Sequence, residues 1–472
     1  MAFSNDLFFA PAHQLAAMLR KRDVSSVEMV DAFIERIESM NHGLNAVVTL
    51  VEERASREAE DSDKRLAGKG DIRPLEGLPI TIKDSVMTEG VRSTDGMKIF
   101  EHHVPKHDAP TVARLRAAGA VIIAKTNLPE MAMDYDCDNP VFGATSNPWN
   151  RERVPGGSSG GEAAALAIGL SPLGLGSDYG GSIRVPSHFC GTVGLKPTWG
   201  TIPGTGHMPP GEAAAPGIAH MATIGPMARF VDDLTLSYNI IRGAHHGALY
   251  TVPTNEAHPE KVDLKKVRCA IFTNAGLVPL AADIRTAIER AGKELQKAGI
   301  AVDEVKPPVE DGARIWWEYA MADGNQLLSE ALGDNIKLSR ERFRNAWAVT
   351  EGKSAAEYFK ISIARDSWRI KLAEFMERYP IILGAPFCIT AFRHGETEVD
   401  IDGKKFPLFG SNWPALWVNC AGLPGAVVPA GKDRDGLPIG LQIVGRAFGE
   451  ETVLAVAKAA ENALGGFKRP PL

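Results

Sequence analysis

The stretch Gly156-Gly157-Ser158-Ser159-Gly160-Gly161, followed by Ala163 to Ile168 and then Asp178-Tyr179-Gly180-Gly181-Ser182-Ile183-Arg184-Val185-Pro186, restricts the fold more than any other part of the chain. Residues this small let backbone segments approach closer than a Cβ allows. A flexible loop would account for the glycine and serine content, but not for Ala163 to Ile168, which reads as a tightly packed helix around a buried site. Ser158 and Ser182 stand 24 residues apart, each beside glycines. Backbone N–H groups can come close to whatever such a hydroxyl attacks, the setting of a nucleophile beside an oxyanion hole.

Around this segment helix and strand patterns alternate, which points to an α/β architecture. Ser25-Ser26-Val27-Glu28 is a capping box, and Val27, Val30, Phe33, Ile34, Ile37 and Met40 recur at helical spacing, predicting a helix over about 26–40. Glu52 to Lys64 is almost wholly polar and reads as a solvated helix. Leu78 to Lys83 reads as a strand, Asp108 to Ala118 as a helix capped by Asp108, and Val121 to Ala124 as the strand after it. Val267 to Phe272, Ala281 to Ala298 and Ile300 to Val305 form a strand-helix-strand unit. Ala426 to Pro429 and Ile439 to Val444 flank the turn signal Asp435-Gly436, and a last helix covers about Glu451 to Ala463. No linker separates these pieces, so 1–472 reads as one domain: a helical N-terminal segment to about 70, a core over about 71–245 and a more variable half over about 246–472.

At 44% hydrophobic and 23% charged residues the chain has a globular composition, and no apolar run reaches the roughly 18 residues of a spanning helix. Met1 to Leu19 lacks a secretory signal pattern. The net charge of -6 points to no nucleic-acid partner. The cysteines Cys137, Cys190, Cys269, Cys388 and Cys420 are scattered and odd in number, which disfavours a disulfide framework and reads as a reducing, cytoplasmic compartment. The histidines offer no spaced ligand set, His102, His103 and His107 reading as a solvated loop, so neither metal nor cofactor is expected.

Two familiar motifs fail on context. Gly156 to Gly160 satisfies G-x-S-x-G, but a nucleophile elbow needs an apolar strand before it, and Arg151-Glu152-Arg153-Val154-Pro155 is not one. Gly174-Leu175-Gly176 begins like a dinucleotide fingerprint, yet the third glycine arrives one residue late at Gly180.

Gly156 to Ser187, with the alanine-rich helix between the two serine segments, resembles the signature of the amidase signature family position by position. Leu78 to Asp84 is similar to that family's catalytic-lysine strand. Lys125 to Glu130, Asn147 to Trp149, Cys190 to Thr198 and Gly436 to Val444 are similar to further family segments. The resemblance runs the length of the chain, more weakly between about 245 and 410. It implies a single large domain with a mixed central β-sheet covered by helices. It also implies a Ser-Ser-Lys triad in which Ser182 is the nucleophile, Ser158 the bridging serine, held through a cis peptide bond, and Lys83 the base. Lysine acts as a base only when neutral, which from about 10.4 requires a depression of roughly three units near pH 7. Burial supplies such a shift. Thr81 shares the face of Lys83, with Ile80 and Ile82 on the other, a pattern that permits burial. On this reading activity rises through mildly alkaline pH, the backbone N–H groups of Tyr179, Gly180, Gly181 and Ser182 hold the oxyanion, and Asp178 and Arg184 hold the loop.

The resemblance therefore implies an amidase cleaving a carboxamide C–N bond through an acyl-enzyme. Trp316, Trp317, Trp347, Trp368, Trp413 and Trp417 lie in the variable half, an enrichment that suits an apolar pocket. Tyr135 to Gly143 is similar to the corresponding stretch of animal fatty acid amide hydrolases, which implies that Ala132 lines the pocket. Tyr179 is bulkier than the residue usual at its position and biases the site toward aryl or shorter acyl amides. The expected partner is thus a small amide, with a homodimer the open oligomeric option. Residues 336–370 are charge-rich, which disfavours bilayer docking. The alternative within the family is the A subunit of a glutamine-dependent tRNA amidotransferase. Trp199 to Met221 lacks the tyrosine-glycine and serine-serine-leucine-aspartate pattern associated with that subunit. Joint presence of Lys83, Ser158 and Ser182 disfavours a non-enzymatic binding protein on the same scaffold.

Overall fold

The computed structural model describes residues 4–68, 70–207, 220–274 and 277–471. Residues 1–3 of the N-terminal reading and 208–219 of the Trp199 to Met221 pattern lie outside the described residues. The helix predicted from the capping box spans Ser26–Met40, with the Ser25 hydroxyl and the Glu28 carboxylate capping it reciprocally. The polar stretch after it forms the helix Glu52–Ala67. It is not wholly solvated, because Ala55, Ala59, Ser62 and Leu66 make a buried stripe of mostly small residues. The next helix begins at Pro110 rather than at Asp108. The Asp108 carboxylate instead accepts the Glu89 N–H at 2.7 Å and pairs with Arg116.

The strands, in chain order, are β1 (Val47–Leu50), β2 (Pro79–Lys83), β3 (Val121–Thr126), β4 (Leu173–Asp178), β5 (Val193–Lys196), β6 (Thr223–Ala228) and β7 (Arg268–Ile271). They continue with β8 (Ala301–Glu304), β9 (Ile381–Gly384), β10 (Glu398–Ile401), β11 (Lys404–Pro407), β12 (Gly425–Lys432) and β13 (Pro438–Gly445). All but the β10–β11 hairpin join one eleven-stranded sheet in the order β1-β3-β2-β4-β6-β5-β12-β13-β9-β7-β8. The sheet is mixed: β2 runs parallel to both β3 and β4, β7 runs parallel to β8 and β9, and the other pairs are antiparallel. The strand-helix-strand unit appears as β7, the helix Ala282–Lys297 and β8. The Asp435-Gly436 turn joins β12 to β13. This one sheet passes through both the core and the variable half, so the chain is a single α/β domain.

The small-residue segments occupy the middle of the sheet for a steric reason. The helix Gly160–Ala167 is buried along its whole length. A Cβ on Gly161 would lie 2.4 Å from the Asn127 nitrogen and 2.6 Å from the Ala46 oxygen. At Gly157 it would lie 2.0 Å from the Asp134 oxygen. Backbone therefore packs directly on backbone here. Gly161→Ala is expected to destabilise the protein by about 1–3 kcal/mol, the range of overpacked cores, as read by chemical denaturation. A value near zero would mean that the helix shifts freely.

Candidate active site

Strand β2 lies between β3 and β4, and all five of its residues are buried. It carries Lys83 to a position with no exposure. The Lys83 Nζ lies 2.5 Å from Ser158 Oγ and donates to Ser177 Oγ at 2.9 Å. Burial pulls the ammonium down to about 7, against the charge of Asp95 and, more weakly, of Cys137, Asp178 and Glu162. A neutral lysine is therefore within reach at neutral pH, and its lone pair can accept the Ser158 proton. Ser158 follows a cis Gly157–Ser158 peptide bond. The Ser159 N–H donates to the Ser182 carbonyl at 3.1 Å, which ties the two serine loops together. Ser182 itself is 8% exposed, against 1% for Ser158. Of these three side chains it is the one that reaches the surface of the site.

The loop bearing Ser182 is wound round Asp178. That carboxylate accepts the N–H of Gly181 at 2.9 Å and of Ile183 at 3.1 Å, and the Arg184 guanidinium through Nε and Nη2. Burial opposes its charge, yet Arg184 holds its carboxyl well below the usual carboxylate range. The expected holding role of Asp178 and Arg184 is thus what the contacts display. One expectation is corrected: the Gly181 N–H points into Asp178, so it is not free to meet an oxyanion. The N–H groups of Tyr179, Gly180 and Ser182 donate to no protein acceptor among the described residues. The carbonyls of Tyr179 and Gly180 accept from Trp316 Nε1 at 3.0 Å and Tyr135 Oη at 2.5 Å, which fixes the peptide planes.

An aromatic wall leads away from this loop. The Tyr179 ring packs on Trp316 with centroids 4.7 Å apart, Trp316 meets Trp317 at 5.0 Å, and Phe409 touches Trp317, Trp347 and Tyr135. Trp347 donates to the Met133 carbonyl at 3.2 Å. This places Ala132, half-buried and left-handed at φ +56°, in the segment beside the wall. Trp368, Trp413 and Trp417 are core residues, so only half of the expected tryptophans belong to the wall.

Several site residues had no sequence signal. Glu162 accepts from Thr81 Oγ1 at 2.5 Å and from Thr126 Oγ1 at 2.8 Å beneath Lys83, and burial pushes its carboxyl up to about 7. Only glycine fits above it, because a Cβ on Gly174 would lie 1.8 Å from Glu162 Oε1. Ser177 is a second hydroxyl on Lys83. Asp95 is fully buried with both carboxylate oxygens unpartnered among the described residues, and burial raises its carboxyl well above the usual range while Lys83 opposes that. Burial, with the charge of Lys83 adding to it, drops the imidazole of His207 to about 3. Thr81 on the lysine face was the one visible hint of this underlayer.

The amidase family model matches residues 28–454 of this chain. The A subunit of the glutamyl-tRNA(Gln) amidotransferase of Geotalea daltonii is 33% identical, with 98% of this chain and 99% of the relative aligned. A fatty acid amide hydrolase structure superposes with a TM-score of 0.84 at 25% identity, covering 97% of this chain and 85% of that one. A bacterial aryl acylamidase superposes with a TM-score of 0.86 at 24% identity over 96% of both chains, a likeness of fold. The chain belongs to the amidase signature family. It is an enzyme of amide C–N bonds, of hydrolase or amidotransferase type. The name of the sequence relative, one chain of an assembly, widens the expectation of a small amide as sole partner. No helix among the described residues is long and apolar enough to cross a membrane.

Asp95 opposes the depression of Lys83, so Asp95→Asn should move the lysine titration further below pH 7. NMR of lysines labelled at Cε would read the shift. An unmoved titration would mean that Asp95 carries no charge where Lys83 titrates.

Proposed function

We propose that this chain is an amidase that cleaves a carboxamide through Ser182, Ser158 and Lys83, with an aryl or short apolar acyl group held against the aromatic wall. The observation that carries the reading is the hydrogen bond between Lys83 Nζ and Ser158 Oγ at 2.5 Å, away from solvent and beside the loop of Ser182. As Ser182 Oγ attacks the amide carbon, its proton passes to Ser158 and the Ser158 proton to neutral Lys83. The tetrahedral oxygen takes up the free N–H groups of Tyr179, Gly180 and Ser182. Collapse breaks the C–N bond as the proton returns through Ser158 to the departing nitrogen, which would otherwise leave as an unstable anion. Water then attacks the acyl-enzyme by the same relay in reverse.

A second reading, one chain of a tRNA amidotransferase, is favoured by the name of the 33% identical relative. Against it stands the segment Trp199 to Met221, which lacks the pattern associated with such a chain. The two readings part on substrate and company. Anilides, fatty amides, primary amides and glutamine, compared by kcat/KM, should give the highest value for an aryl or short acyl amide with the chain acting alone. Glutaminase activity together with co-purifying partner chains would favour the second reading.

Ser182→Ala is expected to lower kcat/KM by about 10⁴-fold or more, and Lys83→Ala by about 10²–10⁴-fold, with circular dichroism unchanged. A Lys83→Ala enzyme of full activity would sink the relay. The base works only when deprotonated, so activity should be low in acid and climb as pH rises through about 7. Burial sets this rise, against the charge of the neighbouring carboxylates.

A further inference from the structure

The helix Ala355–Arg378 carries two apolar stripes. Ile361, Trp368, Leu372 and Met376 are buried against the body of the protein. Phe359, Ile363 and Ile370 stand outward, at 65%, 66% and 61% exposure. Their spacing of four and seven residues puts them on one helical face. Isolated exposed apolar residues are ordinary, whereas an aligned set along a 24-residue helix marks an interaction surface. Beside the C-terminal half of the helix lies a groove of about 550 Å³, with Ile370, Leu372, Ala373, Met376 and Leu423 among its lining.

Knob and groove are arranged symmetrically. Phe359 lies seven residues before Asp366, near the middle of the helix, and Ala373 lies seven residues after it. Two such helices packed antiparallel about a twofold axis near Asp366 and Ser367 bring each Ile363 against Ile370 of the second copy. Each Phe359 then lies over Ala373 of the second copy, at the mouth of its groove. The same register sets Lys360 beside Glu374 of the second copy, twice. Asp366, nearest the axis, has Arg369 at 3.6 Å to offset its charge. The rim is of mixed sign, Lys360, Arg369 and Lys371 standing among Asp366, Glu374 and Glu377, which suits a face that meets its own copy better than the basic rim of a bilayer-lying helix.

We infer that the chain forms a twofold homodimer through the outward face of the helix Ala355–Arg378, each Phe359 seated in the groove of the second copy. Such a contact is isologous, the commonest form of soluble assembly, and it seats an aromatic anchor in a pocket. Sedimentation of the full chain at micromolar concentration should give twice the 50.7 kDa chain mass. Ile363→Glu combined with Ile370→Glu should yield monomers at concentrations at least 100-fold above the wild-type dissociation constant, with the circular dichroism spectrum and activity unchanged. A chain carrying Ile363→Cys and Ile370→Cys should cross-link into a covalent dimer on mild oxidation. A wild-type chain that stays monomeric at tens of micromolar, or charge variants that still dimerise, would overturn the inference. So would a monomeric wild type that sediments with phosphatidylglycerol vesicles when the charge variants do not, which would assign the face to a bilayer.

Discussion

Six hydrogen bonds converge on the carboxylate of Asp178: three from the backbone N–H groups of Gly181, Ile183 and Arg184, two from the Arg184 guanidinium and one from Asn419 Nδ2. A charge without solvent needs such company, since leaving it unpaired in the interior costs several kcal/mol. The loop consequently has little choice of shape, and Ser182 is carried on it. Arg184 extends the same constraint across the chain, donating to Gln442 Oε1 at 2.6 Å, Asn419 Oδ1 at 2.5 Å and the Ala415 carbonyl at 3.1 Å. The residues around Ser182 are thereby locked to β13 and to the helix Trp413–Ala421, which come from the far half of the sequence. The shape of the Ser182 loop therefore depends on the far half of the sheet being in place.

Three buried lysines differ in how well each suits the proposed proton transfer. Lys125 meets three acceptors, the Val86 carbonyl and the hydroxyls of Thr88 and Ser93, enough for a full ammonium, and burial pulls it down only to about 8. Lys196 is brought by burial to about 7 but donates to the Pro197 carbonyl, a group with no proton to give. Lys83 alone of the three faces no carbonyl among the described residues: it has a depression like that of Lys196, and both its partners are hydroxyls, which can donate as well as accept. Burial alone does not make a base. The identity of the facing atoms decides it.

Local signals were legible where one interaction dominated. The capping box of Ser25 and Glu28 and the long turn-bounded strands β12 and β13 needed no distant partner to be read. The helix Ala355–Arg378 escaped notice although Ser354 and Glu357 form a second capping box, because its buried and outward stripes cancel the one-sided pattern that marks an amphipathic helix. The charge-rich impression of residues 336–370 had the same origin, since Phe359, Ile363 and Ile370 are dispersed among charges in sequence and aligned only in space. At the site the serines stood out through their glycine-rich settings, and Lys83 through the likeness of its strand to the family's segment. Asp95 and Glu162 did not, because nothing in a sequence marks which carboxylates fold away from water. The engagement of the Gly181 N–H by Asp178 likewise depends on how the loop closes.

The fit of Gly174 over Glu162 bears on how such an enzyme can change over evolutionary time. Glu162 is bonded to Thr81 and Thr126 on two strands and is capped by a glycine that tolerates no methyl group. A Cβ at Gly174 would press on a carboxylate already held by two hydroxyls, so a change at one of these positions is felt at the others. Single steps are available instead on the aromatic wall, where Trp317, Trp347 and Phe409 are only half-buried. Divergence in what the wall accepts can therefore proceed residue by residue, more freely than change in the layer beneath Lys83.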